Sequence, residues 1–505
     1  MFRLSALCVV TVFGSAAFAD MANNESHLSV IERTPEDTAL IQSVTKPTTD
    51  FTQAEEFEEL AGGDTTTFTM SSTDAFSQPS TNILQRNKLD FQIGNGLFKR
   101  SWQPAQTEVT GSDGLGPLFN TDACQACHMR NGRGHPPANA EGNAMSFVMR
   151  VSIPDTTAQD TQTIEGYFAS KPEPTYGLQL QDFALEGHEP EAQIQVAYEY
   201  ITIPLSEGEA ATLRQPKYSV SNTAYGPLHP DTQYSPRVAQ KMIGLGLLEA
   251  VATEDILALA DPEDSNGDGI SGRPNSVRSA EFGHEMLGRF GHKASMPTLR
   301  EQTAGALVAD MGLSTSVFSM PWGDCTSDQS ECRNAPHGIH ATETHEVGDL
   351  ALDLLTLYTR NLAVPARRNV NDPDVLRGKQ VFYETGCTSC HTPKFVTQRL
   401  NDQDEQSFQL IWPYTDLLLH DMGDGLADNR PEAGATGREW RTPPLWGIGL
   451  TSQVSEHTYF LHDGRARSLL EAVLWHGGEA EAQKDAVVSM PKTDRDALIT
   501  FLESL

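Results

Sequence analysis

The residues of this chain best suited to chemistry are Cys124-Gln-Ala-Cys127-His128 and Cys387-Thr-Ser-Cys390-His391. Two thiols separated by two residues and followed at once by histidine is the attachment spacing of c-type haem. The thiols add across the vinyl groups, and the adjacent imidazole is placed to bind the iron. A zinc site needs four ligands closed around one ion, and a thioredoxin-type thiol pair does not need the histidine. Two such motifs predict two covalent haems. Cys124, Cys127, Cys387 and Cys390 would be the attachment points, and His128 and His391 the proximal iron ligands. The expected chemistry is electron transfer.

The sixth position on each iron decides what that chemistry does. A Met or His there makes a closed electron carrier, whereas an open position can bind a small oxidant such as peroxide. For the second haem the candidates are His420, Met422, His457, His462 and His476. For the first they are His135, Met149, His229, His292 and Met296. For each of these, hydrogen bonding or core packing is the competing reading. No catalytic residue can be assigned.

Two further constellations stand apart from the haem motifs. Asp264-Ser-Asn266-Gly-Asp268-Gly269-Ile270 reproduces the first half of an EF-hand-type loop, with oxygen donors at positions 1, 3 and 5. Asn275 stands where the bidentate Glu would be, so the loop reads either as a calcium site or as a polar turn. Cys325 and Cys332 are the cysteines left once Cys8 and the haem motifs are set aside. They are expected to form a disulfide in an oxidising compartment. Arg367-Arg368 could pair with haem carboxylates or serve as a linker.

The elements that must position these residues are mostly helical. Gly94-Asn-Gly-Leu-Phe98 precedes the first motif, and Gly378-Lys-Gln-Val-Phe382 precedes the other. Both have the pattern of the first helix of a small cytochrome. Helix-like runs follow Ser235, span Thr298 to Met311, and span Asp349 to Leu362. Ser468 and Glu471 form a capping box, and Thr493 is expected to cap a last helix bearing Leu498, Phe501, Leu502 and Leu505. Runs of β-formers at 146–153 and 194–203 predict an antiparallel insertion at 145–220. The expected fold is mainly α, with two cytochrome-c-like haem domains and a small antiparallel β insertion in the first. Its parts are a signal peptide (1–19), an acidic, loosely ordered arm (20–84), a first haem domain (85–345), a connecting helix and linker (346–372), and a second haem domain (373–505).

Residues 1–19 have the charged start, short apolar run and Ala17-Phe-Ala19 cleavage pattern of a secretory signal. That run is too short to span a membrane, and no later stretch is long enough. The expected location is the periplasm. A net charge of −32 argues against nucleic acid and anionic membranes as partners, and it would suit a basic electron donor or serve solubility alone.

Taken in order, several segments resemble the bacterial di-haem oxidoreductase family, a peroxidase-type family sometimes labelled thiol oxidoreductases. They include Gly114-Leu-Gly-Pro-Leu-Phe-Asn120, Gly226-Pro-Leu-His-Pro230, Asp268-Gly-Ile-Ser-Gly-Arg-Pro-Asn275, Trp440-Arg-Thr-Pro-Pro-Leu-Trp446, Phe460-Leu-His-Asp-Gly464 and Leu474-Trp-His-Gly-Gly-Glu479. The likeness runs from about 85 to 505. The C-terminal part is also similar to di-haem cytochrome c peroxidases. Where those place a ligating Met or Tyr, Leu450 falls here, and it cannot bind iron. The resemblance implies an oxidoreductase that takes electrons from a small redox protein and reduces hydrogen peroxide or a similar oxidant. The alternative is a pure electron-transfer cytochrome, both irons six-coordinate, serving another redox or metal-uptake system. A thiol mechanism at Cys325 and Cys332 is disfavoured, because no Lys or His adjoins either to lower a thiol pKa.

Overall fold

The computed structural model describes residues 25–105, 111–137, 145–154, 170–340 and 344–505. The expected signal, residues 1–19, lies outside them. The content is mixed, at 30% helix and 18% strand in small antiparallel sheets, rather than mainly α.

Two helix crossings organise the chain. Helix Asn87–Lys99 packs on helix Asp349–Arg360, and helix Pro373–Glu384 packs on helix Lys492–Ser504. Each crossing is built around a glycine. A Cβ on Gly94 would overlap the Leu354 carbonyl and sit 2.7 Å from the Tyr358 Cβ. One on Gly378 would overlap the Ala497 carbonyl and sit 2.7 Å from the Phe501 Cβ. Only a residue without a side chain lets the backbones approach this closely. Aromatic residues complete both contacts. Phe98 meets Tyr358 at 5.2 Å between ring centres, and Phe382 meets Phe501 at the same distance. The last helix begins at Lys492 behind Pro491, so Thr493 lies inside its first turn and does not cap it.

The run after Ser235 departs from the helix that its spacing predicts. Gln233–Val238 is a strand paired with Phe147–Ser152, and only Leu245–Glu249 is helical. Pro236 cannot continue a helix from the preceding turn, and Gly244 takes a left-handed conformation that separates the two elements. The insertion thus extends beyond 220. Its longest part, the hairpin Gln193–Pro204 with Ala210–Ser221, is twelve residues on each side. The tip of this hairpin leaves the first half of the chain. Leu205 and Leu213 are buried in the core formed by Phe382, Trp412, Phe501 and their neighbours. The Arg214 guanidinium donates to the carbonyls of Gly464 and Arg465.

The acidic segment expected to be a loose arm is also bound to the second half. Val30–Ile31 pairs with Arg399–Leu400, and Asp37 receives Arg399 at 2.7 Å. Glu58, 1% exposed, is held by Arg367 and Lys379, and Glu55 receives Lys379 and Lys394. The carboxylates that give the segment its solvated character are the counter-ions of these cations. Arg367 is therefore engaged by Glu58, and Arg368 donates to the Glu503 carbonyl.

Among the described residues, no helix is long and apolar enough to cross a membrane.

Candidate haem site

Both Cys-x-x-Cys-His motifs form the same turn. In each, the histidine backbone N–H donates to the carbonyl of the first cysteine, at 3.0 Å for both His128 to Cys124 and His391 to Cys387. Each imidazole is then locked from the same side. His128 Nδ1 lies 2.6 Å from the Gln240 carbonyl, and His391 Nδ1 lies 3.0 Å from the Tyr414 carbonyl. A carbonyl can only accept, so Nδ1 carries the proton in both rings and Nε2 is left with its lone pair. Burial lowers both imidazoles to about 4, which keeps them neutral, the form a metal takes. Burial raises the Cys124 and Cys387 thiols to about 12, unlike the lowered thiolates of redox-active pairs.

The two motifs open on one continuous cavity of about 430 Å³. Its walls are mostly apolar, from Phe98, Leu307 and Leu355 on one side to Phe382, Leu498 and Leu502 on the other. The four thiols and the two imidazoles on this void are a donor set that suits two haems.

The proximal locks are also joined to each other. The Gln240 side-chain oxygen accepts from Arg441 at 3.1 Å, and the next carbonyl, Thr442, accepts from the Thr415 hydroxyl at 2.5 Å. Thr415 adjoins Tyr414, whose carbonyl locks His391. A chain of peptide and hydrogen bonds thus connects one motif histidine to the other.

The sequence candidates for the sixth positions separate clearly. His420 lies between Glu479 at 2.7 Å and Asp416 at 2.8 Å, with both ring nitrogens engaged. Burial opposes its charge, but Asp416, Cys390 and Glu479 outweigh that and raise it well above the usual histidine range. With a carboxylate on each ring nitrogen, His420 has no nitrogen left to offer iron. His457 uses Nε2 on the Arg133 carbonyl and Nδ1 on the Tyr459 N–H. His462 lines the cavity, stacked on Trp440 at 3.9 Å, but its Nε2 is buried away from the void. Met422 lines the cavity wall. His476 repeats the motif-histidine pattern: Nδ1 donates to the Ala472 carbonyl at 2.8 Å, and Nε2 makes no hydrogen bond among the described residues. It also faces the cavity.

Of the candidates for the first compartment, His135 is exposed, His229 is half-exposed at the surface, and Met149 is wholly buried in the core of the β insertion. None of the three reaches the cavity. His292 and Met296 do, although His292 Nε2 is 3.0 Å from the Val238 carbonyl.

Sequence reasoning missed helix Leu299–Met311 as a cavity wall. Leu299, Gln302, Thr303, Ala306 and Asp310 lie on one helical face and line the void. The Gln302 amide makes no side-chain hydrogen bond among the described residues. Burial raises the Asp310 carboxyl above the usual range, and Gln179 Nε2 donates to it at 2.7 Å. The signal in the sequence is that Gln302, Thr303 and Asp310 share one helical face with Leu299 and Ala306.

Asp264, Asn266 and Asp268 stand together on an exposed loop. Their oxygens already accept the Gly269, Asp268 and Ile270 amides. No group of three or more His, Cys, Asp or Glu is arranged to hold a metal ion among the described residues. Cys325 and Cys332 are bonded to each other and buried.

The fold and the paired motifs define a haem oxidoreductase. A family model described as "Di-haem oxidoreductase, putative peroxidase" matches residues 57–505, and the chain belongs to that family. No curated protein matches the sequence. The solved structure of Kuenenia stuttgartiensis hydrazine synthase, pressurised with 20 bar xenon, is 16% identical over 40% of this chain and 70% of that one. Its TM-score of 0.21 is too low to support any argument.

Proposed function

We propose that this protein is an exported, periplasmic di-haem c-type oxidoreductase. Each half, 85–345 and 373–505, forms a cytochrome-c-like domain with one covalent haem. Electrons would enter from a small redox protein and leave to hydrogen peroxide or a similar small oxidant. The observation that supports this best is the duplicated lock: two motif histidines, each with Nδ1 fixed on a carbonyl and Nε2 open on one shared cavity. When bound, haem would supply one-electron transfer and, where its iron is left open, the reduction of a small oxidant.

The chain supplies the asymmetry that such a reaction needs. His476, with Nδ1 held on the Ala472 carbonyl and its ring on the cavity, would offer Nε2 to the second haem, which would then serve as an electron carrier. In the first compartment the polar face of helix Leu299–Met311 borders the void. There Gln302 can hold an oxidant oxygen by hydrogen bonding, and the Asp310 carboxyl can hold a proton. A second reading rests on Met296: its thioether, buried on the same cavity, would close the first compartment as well and leave an electron carrier.

Visible and EPR spectra of the oxidised and half-reduced holoprotein, before and after hydrogen peroxide, decide between these readings. A peroxide-responsive haem that survives in His476→Ala, while the other haem changes its ligand field, supports the division of labour proposed here. Two haems indifferent to peroxide, with one changed by Met296→Ala, would leave the carrier. Absence of a covalent haem signal would remove both readings.

A further inference from the structure

Three of the cations that line the cavity have no carboxylate partner among the described residues. Arg133 donates to the Tyr459 and Leu461 carbonyls, and Arg441 to the Gly291 and Thr442 carbonyls and the Gln240 side chain. Lys241 makes no side-chain hydrogen bond or ion pair among the described residues, yet it faces the same void. The carboxylates whose fields reach the two arginines are already engaged. Asp463 is bonded to Arg465 and Tyr218, and Asp416 to His420. Burial, with Arg133 and Arg441 beside it, pushes the Lys241 amine well below its usual range. The chain has 68 acidic and only 36 basic residues. Arg441 is buried, and Arg133 and Lys241 are half-buried on the same void. In so acidic a protein, three cations gathered in one cavity without counter-ions among the described residues are a costly arrangement unless an anion completes it.

Their placement indicates which anion. Arg133 follows the first haem motif and reaches carbonyls of the second half. Arg441 belongs to the second half and reaches Gly291 and Gln240 of the first. Lys241 adjoins Gln240, whose carbonyl locks His128. The cluster therefore stands at the seam between the two histidine locks. We propose that Arg133, Lys241 and Arg441 form one carboxylate cradle, built from both halves, that receives haem propionates where the two compartments meet. This rests on the di-haem reading above. Guanidinium groups already oriented by carbonyls keep N–H donors for a carboxylate, and the lysine supplies a point charge beside them. A free small carboxylate would fit the same chemistry, so the test must separate the two sources.

The substitution to make in the holoprotein is Lys241→Gln, because Lys241 makes no side-chain hydrogen bond or ion pair among the described residues. A nearby positive charge favours the reduced haem, so its removal lowers the reduction potential. The expected result is full haem content by pyridine haemochrome, with the reduction equilibrium of at least one haem shifted about tenfold towards oxidised, roughly 59 mV for one electron. Lys241→Arg should restore the wild-type potential. Unchanged potentials in a fully haem-loaded Lys241→Gln protein would overturn the proposal. So would a saturable shift of the wild-type potential by added acetate that Lys241→Gln abolishes, which would assign the cradle to a free anion. A wild-type protein without covalent haem would instead break the di-haem reading itself.

Discussion

The two halves build the same histidine lock by different routes. In the second half the locking carbonyl, Tyr414, lies 23 residues beyond His391. In the first half it is Gln240, 112 residues beyond His128, reached only after the chain has built the β insertion. Both halves share the glycine-centred crossing, the aromatic contact on it and the tight motif turn. The first adds a wall with a polar face, Leu299–Met311, and the second adds His476. In the function proposed here, the shared parts would hold the haems. The parts that differ line the same cavity, and in that function they would separate electron carriage from oxidant binding.

If the halves are two copies of one idea, they should still unfold as one body, because buried charge joins them. Glu432, in the second half, takes Arg237 from the first and Arg430 from its own half, all nearly inaccessible to solvent. Glu432→Gln should cost about 3–5 kcal/mol, since it leaves two buried cations short of a partner. Calorimetry should show a single transition at lower temperature. Two separated transitions in the wild type would mean that the halves are independent. Burial opposes the Glu432 charge, but Arg237 and Arg430 hold its carboxyl well below the usual carboxylate range. Its contribution is thus fully present above the unfolded value of about 4.3 and is lost as pH falls through the lower folded value. The gap between wild type and Glu432→Gln should narrow at acid pH. A gap that widened there would contradict this pairing.

The crossings offer a finer comparison. Gly94→Ala and Gly378→Ala each push a methyl group into a carbonyl and an aromatic Cβ. Each should cost at least about 1–3 kcal/mol, the scale of overpacking, and should lower Tm. Equal losses would confirm that the two crossings bear equal load. A silent Gly94→Ala would mean that the insertion, rather than the crossing, holds the first half together.

This symmetry explains what the sequence disclosed. Cys-x-x-Cys-His, the glycine four residues before Phe98 and Phe382, and the stripe on the last helix are local patterns, and a local pattern can be read. The Gln240 and Tyr414 locks are backbone carbonyls, which carry no residue signature. His476 and His420 are alike in sequence. Only the carboxylates of Asp416 and Glu479, brought in from either side, show that His420 is spent. The 25–84 segment hides its role for the same reason. Its acidity suggests solvation until Lys379, Lys394 and Arg367 are seen to be its partners. Strand Gln233–Val238 is hidden because its partner, Phe147–Ser152, lies more than eighty residues back.

The smallest effect should come from the caps of the elements that make the halves differ. The Thr298 hydroxyl accepts from Glu301 N–H at the start of the polar-faced helix, and Ser468 accepts from Glu471 N–H at the start of the helix that leads to His476. Replacing either with Ala should cost about 1 kcal/mol. Stability alone would not distinguish the two sites, but the spectrum should. Loosening Leu469–Leu474 disturbs the Ala472 carbonyl that orients His476, so Ser468→Ala should broaden the closed haem's signal. Thr298→Ala should leave that signal intact and alter only the response to peroxide. If both variants changed the same haem, the division between a closed second compartment and a reactive first one would fail.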